Sequence, residues 1–389
     1  MRQRLALLGA TGSIGRSCFE VVRHHPERFE LVALGALGTR PAELMAAVAE
    51  FRPQILAVVD PEAAGRIRPQ LPAGTRLVTG EEALVEIATD ARVDRVVAAI
   101  VGAAGLRPVH AALATGKGVA LANKESLVVA GRLLTSIAAE TGAAIVPIDS
   151  EHVALHQALR CGGRDEVARL VLTASGGPFL RRDPATFADI RRDEALRHPT
   201  WSMGEKISID SATLVNKGLE LIEARWLFGV PAERIDVVVH PQSIVHSLVE
   251  WRDGSWIAQL APNDMIFPIQ YALAYPERWA NQFPRLDPVA LGALEFLALD
   301  ERTFPAVALA RQALAAGESG PAVFNAANEI AVRAFLAGRI PFPAIVSTIE
   351  RVLASHTAGA IESLDDALAW DAWGRRQAER VVSAAPAAR

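Results

Sequence analysis

Acidic side chains that could do chemistry first come together at Asp149-Ser150-Glu151 in this sequence of 389 residues. The triplet directly follows an apolar segment, residues 143–148, that is typical of a buried parallel strand. In an extended segment residues 149 and 151 point the same way, so two carboxylates could converge on one hard cation. Capping of a following helix by Asp149 or Ser150 explains the triplet equally well.

A second group of polar side chains lies between residues 211 and 220. Ser211 fits a helix cap, and a helical pattern continues from it to Phe228. Three polar side chains would share one face of this helix, within an arc of about 100°: Asn216, Lys217 and Glu220. Such a face could bind a phosphate and a metal ion, or it could be a solvated face with a Lys–Glu pair. Gly218 costs about 1 kcal/mol relative to Ala inside a helix, which indicates that another element packs closely there.

Two further segments have the composition of ligand-binding loops. Ser175-Gly176-Gly177-Pro178 follows an apolar strand and could form an anion-binding nest, although an ordinary turn fits it as well. The segment His198–Gly204 carries His, Trp and Met between Pro and Gly. Large apolar side chains on such a loop suit a lid that closes over a ligand, and burial of Trp201 in the core is the alternative.

Gly9, Gly12 and Gly15 stand between the first apolar strand and the helical segment Ser13–His24. Glycines at this place let the backbone approach a pyrophosphate, which the helix N-terminus then binds. The spacing is G-x-x-G-x-x-G, so we predict a dinucleotide site against the alternative of a tight turn without a ligand.

The segment after the second strand, Gly35–Arg40, contains no carboxylate that could hold the ribose hydroxyls of NAD. It contains Gly38, Thr39 and Arg40, of which the last two could meet a phosphate, and this favours NADP. The alternative is that Arg40 is an ordinary solvated residue at the start of a helix.

Apolar strands alternate with amphipathic helices over residues 1–149. The predicted strands are Arg4–Leu8, Leu31–Leu37, Ile55–Val59, Arg95–Ile100, Gly118–Ala122 and Ala143–Ile148. The predicted helices between them include Ser13–His24, Pro41–Phe51 and Ala103–Ala114. This pattern indicates an α/β domain with a doubly wound, Rossmann-like parallel sheet that is buried on both faces.

After residue 149 the pattern changes. The predicted strands here are Glu166–Thr173, Ile235–His240, Ser243–Trp251 and Ser255–Leu260, with a hairpin turn at Arg252-Asp253-Gly254. Grouped strands indicate an α+β domain over residues 150–287. Residues 288–389 are rich in Ala and Leu and indicate a linker and a helical domain, with a disordered tail after Ser383.

Charge and composition exclude several classes of partner. A net charge of −4 gives no whole-molecule attraction to nucleic acid or anionic membranes, so we expect neither as a partner. Apolar runs stay too short to span a bilayer. The two cysteines, Cys18 and Cys161, form no disulfide framework, and no signal peptide is recognisable. We therefore expect a cytoplasmic protein.

In this order the motifs resemble the 1-deoxy-D-xylulose 5-phosphate reductoisomerase family over essentially the whole chain. The segments that carry the resemblance are Gly9–Gly15, Leu121–Ser126, Asp149–His152, Thr173–Phe179, His198–Gly204, Lys206–Glu220, His240–Ser243 and Asn325–Glu329. The resemblance implies NADPH-dependent rearrangement and reduction of a phosphosugar, 1-deoxy-D-xylulose 5-phosphate, to 2-C-methyl-D-erythritol 4-phosphate in non-mevalonate isoprenoid synthesis. It also implies a homodimer with a C-terminal helical domain.

By the same resemblance, Mg²⁺ or Mn²⁺ would be held by Asp149, Glu151 and Glu220. Lys124 and Ser150 would meet the oxygens of the substrate. Its phosphate and neighbouring groups would be held by Ser175, His198, Ser211, Asn216 and Lys217. The dinucleotide would be lined by Thr11, Gly12, Ser13, Ile14, Asn123, Glu125 and Gly204.

The chain departs from the family pattern at Gly38-Thr39-Arg40, where the family commonly has Gly followed by Ser or Lys and Asn. The resemblance therefore implies the cofactor, but it does not imply which residues hold the 2′-phosphate. Two alternatives stay open at this point: a plain NADP-dependent dehydrogenase without a metal, and a catalytically dead dinucleotide sensor. The sensor would be expected to lack Asp149, Glu151 or Lys124, and all three are present.

Overall fold

The computed structural model describes residues 2–201 and 203–384, which form two compact units. The first unit comprises residues 2–126, 134–149 and 265–283. The second comprises residues 127–133, 150–264 and 284–384, except Ser202. The predicted division into three domains stays a prediction; residues 265–283, assigned to its middle domain, lie with the first unit. The tail after Ala384 is outside the described residues.

The strands are β1 (Gln3–Leu8), β2 (Phe29–Ala36), β3 (Ile55–Val58), β4 (Arg76–Thr79), β5 (Arg95–Ala98), β6 (Gly118–Leu121), β7 (Ile145–Pro147), β8 (Val167–Ala174), β9 (Ile235–Val239), β10 (Val245–Trp251), β11 (Trp256–Leu260) and β12 (Leu297–Ala298). The helices are α1 (Ser13–His24), α2 (Pro41–Phe51), α3 (Pro61–Ile67), α4 (Ala83–Thr89), α5 (Leu106–Ala114), α6 (Lys124–Thr141), α7 (Ser150–Ala158), α8 (Arg192–Ala195), α9 (Glu205–Ala212), α10 (Val215–Phe228), α11 (Ile266–Ala274), α12 (Pro288–Leu291), α13 (Ala306–Ala315), α14 (Ser319–Leu336), α15 (Pro343–Ala354) and α16 (Leu364–Ser383).

The first unit contains a parallel sheet of seven strands in the order β4-β3-β2-β1-β5-β6-β7. Its strands are short continuous apolar runs, as expected of a sheet covered on both faces. The chain runs outward from β1 to β4 and then returns to the other side of β1, so the strand order reverses between β1 and β5. The predicted doubly wound α/β class is confirmed. Strand β4 and helices α3, α4 and α6 were not predicted.

The second unit contains a mixed sheet of five strands in the order β11-β10-β8-β9-β12. Strands β10 and β11 form the predicted antiparallel hairpin. One face of the sheet packs against helices α7 and α10, and this core includes Leu155, Leu170, Leu221, Phe228 and Val249. A second core joins α10 to the helices α13 to α16, with Phe324 of α14 fully buried in it.

The helix expected to run from Ser211 to Phe228 is wrong in one respect. Two helices occupy this stretch, because Leu214 has a left-handed backbone (φ 59°) that separates α9 from α10. Ser211 lies in the last turn of α9 and is not a cap. Gly218 lies inside α10, where a methyl group would come within 3.0 Å of the carbonyl oxygen of Ala306. The close packing expected at this glycine is therefore confirmed.

Among the described helices, none is long and apolar enough to cross a bilayer.

Candidate functional site

The glycine turn lies where the strand order of the first sheet reverses. Gly9 follows β1 with a left-handed backbone (φ 93°), and a methyl group on it would lie 2.3 Å from the carbonyl oxygen of Ala99, beyond β5. A methyl group on Gly15 would lie 2.5 Å from the carbonyl oxygen of Gly9. Only glycine fits both places. Helix α1 then begins at Ser13 and leaves backbone N–H groups of its first turn for an anion.

Two arginines converge on the backbone of this turn. Arg40 Nη1 donates to the carbonyl oxygen of Thr11 at 3.2 Å, and Arg16 Nη1 donates to the same oxygen at 3.0 Å. Glu43 lies 3.7 Å from Arg40 and 3.4 Å from Arg16. Arg16 was not predicted, because an arginine in the first turn of a helix does not by itself indicate a binding residue. Its position is informative only when Arg40 is known to lie beside it. Both side chains are about half exposed, so a ligand could reach them.

Further residues follow the ends of other strands of the same sheet. Gly38 (φ 104°) follows β2, with Thr39 and Arg40 directly after it. Asn123 and Glu125 follow β6, where Asn123 Nδ2 donates to Glu125 Oε2 at 2.8 Å. The carboxyl ends of parallel strands form the ligand-binding edge of doubly wound sheets. Two large apolar side chains are exposed just after strands β2 and β5, and sequence reasoning missed both: Leu37 and Val101.

Asp149 follows β7 and is the last residue of the first unit. Lys124, the first residue of α6, lies with Nζ 2.6 Å from Asp149 Oδ2, and both side chains are largely buried. The extended conformation expected for residues 149–151 is wrong, because α7 begins at Ser150. Glu151 therefore lies in the first turn of a helix.

The second unit contributes a buried cluster of charges. Lys217 Nζ donates to Glu151 Oε1 at 2.9 Å and also to Glu220 Oε2. Asn216 Nδ2 donates to Glu220 Oε1, and Ser150 Oγ donates to Glu151 Oε2 at 2.6 Å. The structure thus brings together the three residues of the predicted α10 face and adds Glu151 to them.

Electrostatic interactions keep this cluster ionised at neutral pH. Burial alone would raise the pKa of Glu151, but the charge of Lys217 and hydrogen bonds from Ser150 and Lys217 lower that pKa to about 2. Burial lowers the pKa of Lys217, but the charges of Glu151 and Glu220 outweigh it and raise the pKa above its usual value. Each buried charge is therefore stabilised by its opposite.

Glu151 and Glu220 both accept from Lys217 Nζ, so two carboxylates of the second unit converge on one buried cation. Asp149 is joined by a peptide bond to Ser150, the first residue of α7. Carboxylate oxygens are the ligands that hard divalent cations such as Mg²⁺ and Mn²⁺ prefer. The chemistry of these residues fits a divalent cation, and their role as its ligands stays a prediction.

Two buried residues behind this centre were not predicted as site residues. His152 Nε2 lies 3.0 Å from the carbonyl oxygen of Glu220 and 3.4 Å from Glu223 Oε2. His152 and Glu223 thus form a second pair of possible ligand side chains within the second unit. The sequence signals were present, because His152 directly follows the acidic triplet and Glu223 lies one turn after Glu220.

His198 and Ser175 form a hydrogen-bonded pair within the second unit. His198 Nδ1 accepts from the backbone N–H of Trp201 at 3.0 Å, so this nitrogen carries no proton. The proton of the neutral ring is therefore on Nε2, which donates to Ser175 Oγ at 3.0 Å. Burial lowers the pKa of His198 to about 4, although the charge of Glu151 opposes this shift. The ring is neutral at pH 7.

The glycines after Ser175 allow the loop to pack against the end of α9. Gly176 and Gly177 both have left-handed backbones (φ 83° and 69°), and a methyl group on Gly177 would lie 2.7 Å from the carbonyl oxygen of Ser211. Ser175 Oγ accepts from the N–H of Gly177 at 3.2 Å as well as from His198. Its own hydroxyl proton remains for an anionic ligand. The loop thus brings Ser175, His198 and Ser211 together.

The predicted lid segment is described except for Ser202, which lies outside the described residues. The ring of Trp201 is partly buried, with its centroid 6.4 Å from that of His246 in β10. His246 was not predicted; it is buried, and burial lowers its pKa against the opposing charge of Glu151. Gly204 directly precedes α9, and its role at the dinucleotide stays a prediction.

The doubly wound sheet with a glycine turn at its reversal point, followed by a carboxylate–lysine centre, defines the class of dinucleotide-dependent oxidoreductases. Models of the 1-deoxy-D-xylulose 5-phosphate reductoisomerase family match residues 5–131, and models of its C-terminal domains match residues 145–228 and 260–377. A relative of that name from Anaeromyxobacter dehalogenans is 50% identical over 390 residues, with both chains fully covered. One from Ralstonia nicotianae is 51% identical over 387 residues, covering 98% of each chain. The chain belongs to the 1-deoxy-D-xylulose 5-phosphate reductoisomerase family.

Solved structures of the family agree in fold. The enzyme from Zymomonas mobilis in complex with NADPH has a TM-score of 0.92 and 40% identity, covering 99% of this chain and 100% of its own. A reductoisomerase in complex with NADPH, fosmidomycin and magnesium has a TM-score of 0.91 and 42% identity, covering 98% of each chain.

We predict that the His198 ring titrates near pH 4, and not near its usual pKa of 6.5. Between pH 6.5 and about 4 the unfolded chain binds a proton at this histidine and the folded chain does not. The contribution of His198 to the free energy of unfolding is therefore lost as the pH falls through this range. NMR titration of the histidine C2 protons measures the pKa, and the His198→Asn variant assigns the resonance. A midpoint near 6.5 would contradict the burial and the tautomer described above.

Proposed function

We propose that this chain catalyses the NADPH-dependent, divalent-metal-dependent rearrangement and reduction of 1-deoxy-D-xylulose 5-phosphate to 2-C-methyl-D-erythritol 4-phosphate. Among the structural observations, one carries the proposal: the carboxylates of Glu151 and Glu220 converge on the buried Lys217. Asp149, which lies 2.6 Å from the buried Lys124, directly precedes the helix that carries Glu151. A dehydrogenase that only transfers a hydride needs no such centre, whereas a rearrangement next to a ketone requires stabilisation of charge on two oxygens.

Asp149, Glu151 and Glu220 would hold Mg²⁺ or Mn²⁺, and a solved relative contains magnesium and NADPH. When bound, the cation supplies positive charge beside the ketone and hydroxyl oxygens of the sugar, and NADPH supplies the hydride. The residues of the chain orient these groups. Lys124 Nζ and Ser150 Oγ would donate to the oxygens of the sugar, since both are already fixed by carboxylates of the centre.

The phosphate of the substrate would be held at the other end of the site. We assign this role to five residues: Ser175, His198, Ser211, Asn216 and Lys217. His198 is neutral and donates to Ser175, which leaves the serine hydroxyl proton for a phosphate oxygen. Binding energy from the phosphate can then be used to orient the reacting carbon atoms.

The dinucleotide would be bound by the glycine turn of the first unit and by residues that follow its strands. These residues are Thr11, Gly12, Ser13, Ile14, Gly38, Thr39, Arg40, Asn123 and Glu125. Arg40 and Arg16 share the Thr11 carbonyl, so two guanidinium groups lie where the 2′-phosphate of NADPH could be recognised. Gly204 of the second unit was also predicted to line the dinucleotide, and we keep it in this proposal.

The chain would act as a homodimer, and this proposal is supported by an uncovered face of the second sheet. Strand β11 is an edge strand whose Trp256 and Leu260 are exposed. Cross-strand pairing places Leu248 and Glu250 on the same face, opposite the face that packs on α7 and α10. A second copy would cover this apolar edge. Because phosphosugars and NADPH are charged and do not cross membranes, we place the enzyme in the cytoplasm, where we expect both.

The direct test mixes the purified chain with NADPH, Mn²⁺ and 1-deoxy-D-xylulose 5-phosphate and follows the loss of NADPH absorbance. We expect turnover that a chelator abolishes and added Mn²⁺ or Mg²⁺ restores. NADPH consumption that persists in the chelator would favour the plain dehydrogenase. No consumption by a folded chain would exclude the proposed function.

Glu220→Gln should lower kcat by at least about 100-fold, because the cation would lose one charged ligand. The Kd for NADPH, measured by quenching of tryptophan fluorescence, should stay unchanged. Glu223→Gln is the matched control, since this residue is equally buried one turn later in α10. A larger loss of kcat in the control than in Glu220→Gln would move the cation to the group that contains His152.

Arg40→Ala should raise the KM for NADPH by about tenfold and leave the KM for NADH unchanged, because only NADPH carries the 2′-phosphate. Arg66→Ala is the control, an exposed arginine on α3 with only a 3.9 Å ion pair to Glu62. Equal effects on both cofactors would show that Arg40 acts only on the shape of the turn.

Trp256→Lys should convert the dimer to a monomer in sedimentation velocity, because it replaces the larger of the two exposed apolar side chains of β11 with a charge that is costly to bury. Val289→Lys is the control, since it places the same charge at an exposed apolar residue outside the sheet. A Trp256→Lys chain that sediments as the wild type would exclude this edge as the interface.

A further inference from the structure

Helix α14 carries two fully buried asparagines, Asn325 and Asn328, in a motif that the site described above does not use. The two side chains have different partners. Asn325 Nδ2 donates to Glu329 Oε1 at 3.0 Å, one turn later in its own helix. Asn328 Nδ2 donates to Asp210 Oδ1 at 2.8 Å, in helix α9. Asn328 therefore makes a directional contact to the helix that carries Ser211.

The acceptor of this hydrogen bond is a buried carboxylate. Asp210 is about 1% exposed, and its second oxygen lies 2.9 Å from Lys206 Nζ, one turn earlier in α9. Asn328 and Lys206 thus each bind one of the two carboxylate oxygens of Asp210. A hydrogen bond to a charged group in a low-dielectric interior is stronger than one in water, and its geometry restricts rotation of the helix that carries it.

The residues that follow Asp210 form the junction between α9 and α10. Ser211 is the next residue, and its carbonyl oxygen accepts from the N–H of Leu214 at 3.2 Å. Leu214 has a left-handed backbone, which is strained for a non-glycine residue. Such a conformation persists only where the surrounding structure holds it. The junction therefore needs support on both sides to keep Ser211, Asn216 and Lys217 in place.

Helix α14 supplies both supports from one face. Phe324 lies one turn before Asn328, so the two side chains share this face. A methyl group on Gly218 in α10 would lie 3.3 Å from Phe324 Cζ, which places α10 directly against α14. Phe324 thus contacts the helix after the junction, and Asn328 binds the helix before it. The first contact is apolar packing, whereas the second fixes an orientation.

We propose that Asn328 is a positioning residue for the site of the substrate phosphate. Asn328 binds Asp210 and thereby places the next residue, Ser211. This inference rests on the proposed function, because it takes Ser211 as a phosphate ligand. A purely structural contact could be replaced by apolar packing without loss, since a buried polar pair contributes little net stability. The polar pair is needed where the direction of a helix decides whether a hydroxyl meets its ligand.

The test compares Asn328→Ala with Asn325→Ala, which removes the same side chain from a neighbouring, equally buried position whose hydrogen bond to Glu329 stays within α14. In Asn328→Ala we expect the KM for the phosphosugar and the inhibition constant of inorganic phosphate to rise together by about tenfold, the effect of losing one orienting hydrogen bond. The Kd for NADPH should not change, because all residues that we assign to the dinucleotide except Gly204 lie in the first unit. Asn325→Ala should lower the thermal midpoint to a similar extent and leave both phosphate-dependent constants unchanged.

A second variant protects the test against loss of folding. Asp210→Asn combined with Asn328→Asp exchanges donor and acceptor, keeps volume and net charge, and leaves an amide oxygen at position 210 that can still accept from Lys206. It should fold and return both constants toward the wild type. Unchanged constants in Asn328→Ala, equal increases in Asn325→Ala, or a folded exchange variant with raised constants would each overturn the proposal. Unfolding of both Asn328 variants would assign the bond to folding alone and would also overturn it. A wild-type chain without turnover would instead exclude the proposed function.

Discussion

Two buried lysines, Lys124 and Lys217, neutralise the carboxylates that we assign to the cation. The proposed chemistry of the site depends on this neutralisation. Like charges confined to a few ångströms repel strongly in a low-dielectric interior. Lys124 lies 2.6 Å from Asp149, and Lys217 donates to both Glu151 and Glu220. Lys217 lowers the pKa of Glu151 and so keeps this carboxylate ionised, and ionised oxygens are what a divalent cation requires. The lysines are also cations themselves, so the centre is prepared for anionic oxygens of a substrate.

The parallel sheet decides which residues can take part. Strands β1, β6 and β7 end at the same edge, and the residues that follow them are the glycine turn, Asn123 with Lys124, and Asp149. Segments more than a hundred residues apart in sequence therefore supply neighbouring parts of one edge. The second unit meets a different requirement. The residues that we assign to the phosphate stand on a loop and a helix junction, beside the neutral His198 and helix α14.

Much of this could be predicted from the sequence, because local patterns have local causes. Continuous apolar strands indicated the parallel sheet, and Arg252-Asp253-Gly254 indicated the hairpin. Asn216, Lys217 and Glu220 were placed on one face because helical periodicity alone decides that. The exposed edge strand β4 escaped prediction, since Arg76–Thr79 is short and has little apolar continuity. The break at Leu214 escaped as well, because tertiary contacts fix its backbone. The helix that begins at Ser150 was one of the two alternatives for the acidic triplet.

By itself, the sequence determined the class of fold and the family, and it predicted the dinucleotide turn and the residues for the metal and the phosphate, since residue type and spacing carry that information. Only the tertiary structure decided which groups meet. Arg16 lies beside Arg40, His152 lies behind Glu220, and Asn328 reaches Asp210 across 118 positions of the chain. Such pairs leave no periodic signal, because their geometry depends on how separate helices pack and not on the residues between them.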